Sequence, residues 1–487
     1  MRSYRARQML RYFQFNNGLT WGMAILLLIA SISWTPFQFN VPLIFLAVFH
    51  ISLSIIHTYL LGKIKKANFD ADNQQLFMKV LEIILVLGIV GGNVFTFLSG
   101  MMSLKKIPDS GFIYSLYMVL VDVFVIAITA LNIFKPFVSN YFIPMLYILG
   151  FVFVFHIIFM IWGHRWYKWD RKVKLLTFIF LLLTATTGNI LVLFVAISMY
   201  IKNKDLNGER RQTSIIEKLT RNQAALLGML FIAFLITIAI TSNYSFSESF
   251  AVENNYANIL QPPSITYPFG TDSYGRDVFS RIIFGSQISL SIGLLSTFLP
   301  FFVGGSLGAI SGFYGSRTDS LIMRFLDVLY AIPSMLLAIT IVASFGASTT
   351  NLIIALSLGS IPSYARTMRA NVMQVANYEY VEAARALGQS NWVLVRKHII
   401  PNAMAPMIVR STLTIGTAVI ATSSLSYLGL GVEAHIPEWG NILRNGSQYL
   451  ETNPYLAVYP GLAIILLVLS FNFLGDGLRD ATDPKLN

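Results

Sequence analysis

The sequence predicts an all-α, polytopic integral membrane protein with about twelve transmembrane helices. Three observations carry this reading. The 487 residues are 55% hydrophobic and 12% charged, with a mean hydropathy of +0.64, whereas ordinary soluble domains carry about 25% charged residues. Apolar runs of about twenty residues recur along the chain, the length needed to cross a hydrocarbon core of roughly 30 Å. Basic residues collect in the intervening loops, the pattern that marks cytoplasmic loops. The formal net charge of +12 is therefore read as topology and contact with anionic lipid. A nucleic-acid partner is not expected, because no soluble basic domain is present. With no cysteine, disulfides, thiol chemistry and cysteine metal sites are excluded.

The first half yields about six apolar spans, roughly 19–34, 41–61, 80–98, 112–134, 141–162 and 175–200. Arg2, Arg5, Arg7 and Arg11 hold the N terminus inside, and Lys63, Lys65 and Lys66 mark a second inner loop. The apolar run after the basic start lacks a small-residue cleavage site, so no cleaved signal is expected. One loop disagrees with the count. With six crossings in the first half, Arg165, Lys168, Arg171, Lys172 and Lys174 follow the fifth and would lie outside, unless one weak span does not cross. Trp162, Trp166, Tyr167 and Trp169 suit an interfacial aromatic belt. His50, His57, Glu82, Asp122 and His156 fall at membrane depth. Asp122, in mid-span, is the leading candidate for function, although helix tying is favoured over proton or ion transfer. A polar, basic linker over 201–222 sets the domains: an accessory module, 1–207; a cytoplasmic linker, 208–223; and a second membrane domain, 224–487.

The second domain starts with a span over 224–240 and a long outer segment over 241–285. Within the block YPFGTDSYGRDVFSRIIFGSQISLSIG, Gly270, Asp272 and Gly275 are turn residues, and 276–284 is a short helix. No chemistry is assigned to Asp272 or Asp277. The next span, 288–313, carries Gly304, Gly308 and Gly312 at intervals of four. Such a stripe lets a neighbouring helix approach closely. Pro300 can kink this span, and Pro333 the next one, 321–345, where Arg324 and Asp327 are spaced to pair. The spans 352–370, 403–428 and 456–474 complete a six-span core with both ends inside. LGLG and PEWGNIL occupy the outer loop 429–456.

Between the fourth and fifth core spans lies an amphipathic, charged segment, NYEYVEAARALGQSNWVLVRKHIIPNAMAP, residues 377–406. Good helix formers fill 378–387, and Gly388 follows where a left-handed helix end favours glycine. Ser390 can cap a second helix over 391–400, which Pro401 would end. Ala383, Ala384 and Ala386 give the first helix a shallow surface that a partner can approach.

Glu382-Ala383-Ala384, then Gly388, then an apolar run reaching Pro401, resembles the EAA loop of ABC importer permeases. His398 stands where that family usually has isoleucine, and Ile400 where it has leucine. The block at 267–293 and the LGLG and PEWGNIL motifs resemble the dipeptide, oligopeptide and nickel branch of the family. The resemblance covers about 222–484. It implies that Glu382, Ala383, Ala384 and Gly388 dock on an ATPase, with Pro401 fixing the loop's end. It also implies a second permease chain, two cytoplasmic ATPase subunits, an external substrate-binding protein and a prokaryotic plasma membrane. Peptides are the expected cargo, with nickel chelates or glutathione as alternatives. No phosphate-binding loop, zinc-protease motif or serine elbow is present, so neither catalysis nor a cofactor is expected in this chain. A single-chain secondary carrier is the competing reading, since six plus six spans mimics that architecture. A membrane scaffold that recruits a cytoplasmic partner is another. Co-purification with ATPase subunits and an ATP requirement for uptake separate the three.

Overall fold

The computed structural model describes residues 2–34, 37–66, 76–104, 109–163, 166, 169–206 and 214–483. Arg165 and Lys168 of the discordant loop, and the middle of the basic linker, lie outside the described residues. Two compact units are formed, Met1–Leu116 and Tyr117–Asn487.

In the first unit, α1 (Arg2–Ala30) and α2 (Val41–Lys66) are joined across a short antiparallel hairpin, β1 (Ile32–Trp34) and β2 (Phe37–Phe39), with Ile32 opposite Phe39. The expected span 80–98 is not one crossing. It is two short helices, α3 (Leu76–Leu87) and α4 (Val94–Leu104), turned at Gly88–Gly91 and at Gly92, whose φ is +77°. A Cβ on Gly100 would lie 2.8 Å from the Glu82 carbonyl oxygen, and one on Gly88 would meet the Thr96 hydroxyl, so the two helices pack antiparallel. The 12 residues of α3 rise about 18 Å, well short of a bilayer core. The tip is held by polar groups. His50 of α2 bonds the Gly91 carbonyl at 2.9 Å and the Asn93 amide group at 3.0 Å, while the Asn93 Oδ1 accepts from the Thr96 N–H. Ser103 donates to Glu82. His57 stacks edge-on against Phe13.

Helices α5 (Ser110–Ala130) and α6 (Phe142–Trp162) are full-length spans. After them the expected span 175–200 is a second hairpin, α7 (Arg171–Thr184) and α8 (Leu191–Leu206), turned at Gly188 with φ +95°. Phe180 of α7 meets Phe151 and Phe155, so α7 runs back along α6. Gly188 abuts Ile236, Thr237 and Ile240, while Phe194 packs near Leu219 and Ala225, so α8 runs down towards the linker. Asp122, His156, Thr184 and Asn189 meet at this tip. Asp122 bonds the His156 ring at 2.5 Å and the Asn189 amide at 2.9 Å, and the other His156 nitrogen bonds Thr184 at 2.9 Å. The ring is thus bonded at both nitrogens and ties α5, α6 and the hairpin together.

A segment that turns back adds no crossing, so the two hairpins at 80–98 and 175–200 remove the six-span count on which the disagreement of the basic run 165–174 rested. Among the described residues, eight helices are long and apolar enough to span, or nine counting one bent pair. The expected twelve is not reached because two of those spans are hairpins. In addition, the 28-residue α15 is too polar to pass the same test.

The rest of the second unit begins with α9 (Ile215–Leu219), capped by Ser214 with Glu217 reaching back, and α10 (Gln223–Ser245). A short α11 (Ser249–Val252) precedes α12 (Val278–Tyr314), a single 37-residue helix that absorbs both the short helix expected at 276–284 and the following span. Next come α13 (Ser316–Ala331) and α14 (Ser334–Phe345), bent by 78° at Pro333, which removes a donor and fixes φ. Asp327 of α13 pairs with Arg366 at 2.6 Å rather than with Arg324. Then follow α15 (Thr349–Ala376), α16 (Glu379–Ala386), α17 (Asn391–Val393), a π-turn over Leu394–Ile399, α18 (Ile400–Ala403), α19 (Ala405–Tyr427), α20 (Trp439–Ser447) and α21 (Tyr455–Thr482).

Candidate coupling site

The glycine stripe sets the geometry of the core. A Cβ on Gly304 would lie 2.6 Å from the Ile361 carbonyl oxygen, one on Gly308 2.2 Å from that of Ala365, and one on Gly312 2.7 Å from that of Arg369. The pairs advance together, so α12 and α15 run parallel in backbone contact. Both therefore end on the face that carries 377–406, and the start of α12 lies on the opposite face. At the shared end, Arg369 grips Asp319 with two bonds, 2.5 and 2.6 Å, and Ser311 donates to the same carboxylate.

The segment 377–406 is anchored on this helix pair. Val381, Ile399 and Ala403 are buried with Ala309 of α12, Tyr364, Met368, Val372 and Val375 of α15, and Met407 of α19. The segment is thus close-packed against three core helices. Gly388 has φ +81° and open space around it, the left-handed end that lets the chain turn from α16 into α17. Gln389 bonds His398 at 2.9 Å, and Tyr380 donates to the His398 carbonyl, which closes the loop on itself.

Three details depart from the sequence reading. Ser390 stands at the cap position, but its side chain does not bond the helix. Pro401 does not end the second helix: it sits in the first turn of α18, where a missing N–H is tolerated, after a widened π-turn. Ala384 is 6% exposed and packs inward, whereas Glu382 and Ala383 face outward together with Leu387 and Trp392, 83% and 68% exposed. The exposed apolar pair Leu387 and Trp392 was missed, although an isolated tryptophan beside a glycine turn in a charged loop is a readable signal.

On the opposite face, the block at 267–293 is a knot of buried charge. Asp272 accepts from the backbone N–H groups of Tyr274 and Arg276 and from Arg276 Nε at 2.8 Å, with Arg281 Nε 3.7 Å away. Arg281 donates to the Ala251 carbonyl. Trp439 is fully buried against Gly285 and donates to the Ile282 carbonyl at 2.9 Å. Glu438 caps α20 by accepting from Asn441 N–H, and the hydroxyls of Ser289 and Ser423 donate to it. Burial pushes the Glu438 carboxyl above the usual carboxylate range, opposed by donors from Gly440, Ser426, Asn441 and Ser423. Among the described residues, no cluster of His, Cys, Asp and Glu suits a metal ion.

The second unit is thus a helical membrane unit that offers a short helix–glycine–helix segment from one face, braced on three core helices. Residues 304–487 match the family of binding-protein-dependent transport system inner membrane components. The dipeptide transport system permease protein DppC of Alkalihalophilus pseudofirmus is 42% identical over 270 residues, 55% of this chain and 88% of that protein. The glutathione transport system permease protein GsiD of Pectobacterium atrosepticum is 40% identical over 266 residues, with the same coverage of 55% and 88%. Among solved structures, an inward-facing MetNI methionine ABC transporter chain matches with a TM-score of 0.35 and 20% identity, over 42% of this chain and 97% of that one. The chain belongs to the ABC importer permeases of the dipeptide/oligopeptide family, inner-membrane components of binding-protein-dependent transport.

Proposed function

We propose that this permease works with a second permease chain, two cytoplasmic ATPase subunits and an external binding protein, and that it carries di- or oligopeptides. The burial of Val381 and Ile399 in the same cluster as α12 and α15, with Glu382, Ala383, Leu387 and Trp392 left exposed, carries this reading. ATP-driven closure of the ATPase pair would move the exposed face of 377–406, and the buried face would pass that motion to the core. Glu382, Ala383 and Gly388 are then the docking residues. Ala384 and Pro401 act beneath them, the first by packing and the second by starting α18. The stripe of Gly304, Gly308 and Gly312 keeps α12 and α15 moving as one body.

The docking reading is tested by Ala383→Arg. A bulky charge on an exposed face leaves the fold intact and obstructs the partner. ATPase co-purification should fall at least tenfold, about 1.4 kcal/mol of binding, with an unchanged Tm. Normal association in that variant would place the contact elsewhere. Cargo is settled by competing labelled dipeptide uptake with unlabelled peptides and glutathione. The relatives include permeases for both, and displacement by glutathione alone would overturn the peptide assignment.

The reading keeps 224–487 as the permease domain and 1–207 as an accessory module, with a qualification from packing: Tyr117 onward clusters with the core. A chain starting at residue 109 should retain the Tm of the full protein, while one starting at 212 should insert with a Tm lower by on the order of 10 °C, since it loses the buried ties of 132–135 to the core. Equal Tm values for the two would make α5–α8 dispensable.

A further inference from the structure

Lys135 follows α5 on the face opposite the coupling segment. Its side chain is 2% exposed, and its Nζ lies 2.6 Å from Asp277 Oδ2, itself fully buried. The ammonium also lies 4.7 Å from the centre of the Tyr267 ring and 5.1 Å from that of Phe250. A carboxylate with two aromatic faces around one point is how proteins bind a cationic amine: the carboxylate supplies charge and a short bond, and the rings supply their negative faces. The box is built from the 250–280 segment, and only its occupant comes from the first half of the chain. Asp277 is fixed independently of the lysine, because its Oδ2 accepts from Ser280 N–H at 2.9 Å as the cap of α12. The occupant is fixed too. Asn132 donates to the Ser245 carbonyl at 2.9 Å, and Phe137 stacks on Phe250 with centroids 4.4 Å apart. Burial pushes the Lys135 ammonium below the usual lysine range, and Asp277 opposes that shift by charge and hydrogen bond.

We infer that Asp277, Tyr267 and Phe250 form a primary-ammonium site in the face opposite the coupling segment, and that this chain fills it from within with Lys135. The site takes an unbranched alkylammonium. A quaternary amine is excluded, because the 2.6 Å bond to Asp277 requires an N–H donor. Lys135 is then a positioning residue, holding the start of α12 by neutralising its cap.

Chemical rescue in the full-length chain tests this. Lys135→Ala empties the box and lowers the Tm of the purified protein by on the order of 10 °C. Millimolar n-propylammonium should recover at least half of that loss, while n-propanol and tetramethylammonium at the same concentration should not. Neither the unsubstituted chain nor Lys135→Ala/Asp277→Asn should respond to the amine. Rescue by the alcohol would show a packing void rather than an ammonium site, and an equal response of the unsubstituted chain would show a bulk effect of the salt; either overturns the inference. Should Lys135→Ala yield no folded protein, Lys135→Met decides. Met keeps the chain length and leaves Asp277 buried without its cation, and adding Asp277→Asn, which still caps α12, should restore most of the Tm. A double variant no better than Lys135→Met would overturn the inference equally.

Discussion

Gly308→Leu is expected to abolish folded, transport-competent protein. A Cβ at 308 would lie 2.2 Å from the Ala365 carbonyl oxygen and 2.9 Å from its carbon, both backbone atoms of α15. No side chain can swing away to relieve that overlap, so the two helix backbones must separate. Separation also loosens Ala309, Tyr364 and Met368, which hold Val381 and Ile399 of the coupling segment. Overpacking in cores costs about 1–3 kcal/mol where side chains can adjust, and here only main chain is available. The loss should reach or exceed the top of that range. Gly305, one position off the stripe, has only the end of Met407 within reach of a Cβ, at 3.4 Å, so Gly305→Ala serves as a control with little effect. Monodisperse yield and ATP-dependent uptake measure the outcome. A Gly308→Leu protein with normal Tm and uptake would mean that α12 and α15 do not meet along this stripe.

Trp439→Ala is expected to lower stability by about 3–5 kcal/mol, the usual range for truncating a large buried aromatic. Trp439 is the largest fully buried side chain among the described residues, and it fills the space above Gly285, where even a Cβ would lie 2.7 Å from its ring. It also joins distant parts of the chain through its bond to the Ile282 carbonyl. Trp439→Phe keeps an aromatic ring but drops the N–H and part of the ring volume; the Ile282 carbonyl keeps its bond within α12, so the lost hydrogen bond accounts for about 0.5–1.5 kcal/mol. The order unsubstituted, Phe, Ala in Tm is the expected result. A Phe variant as unstable as the Ala variant would assign the whole effect to the hydrogen bond and the lost part of the ring.

How much of this was readable depended on how local each signal was. The left-handed turn at Gly388 was legible because one residue type and its neighbours decide it. So was the stripe, since a spacing of four on a helix puts Gly304, Gly308 and Gly312 on one side whatever lies opposite. The hairpins were not legible. Hydropathy along 80–98 is the same for one crossing as for two half-length helices, and the difference rests on Gly92 and on His50 reaching the tip from another helix. The surplus of charge in 165–174 was the one sequence-level trace of the turn-backs. Pro401 was misread because a proline ends a helix only where its N–H is needed, and a π-turn directly upstream removes that need. Asp327 took Arg366 over Arg324 because the bend at Pro333 brings α13 beside α15, a contact no spacing within α13 contains. Ala383 and Ala384 are adjacent in sequence and about 100° apart on the helix, the first exposed and the second buried, so the three-letter motif could not say which alanine faces a partner.

The two turned-back hairpins also bear on how the protein is made. A ribosome feeding the membrane releases segments one at a time, and a segment stops in the bilayer only if it is long and apolar enough to rest there alone. The 12-residue α3 and the 14-residue α7 are too short for that. Each tip carries irregular backbone, which hydrocarbon tolerates only when protein surrounds it. For the first hairpin that cover includes His50 of α2, already synthesised when α3 emerges. For the second it includes Thr237 and Ile240 of α10, which are still to come. The first hairpin can therefore settle as it is synthesised, while the second meets Asp122 and His156 of α5 and α6 at once and completes its cover only when α10 arrives.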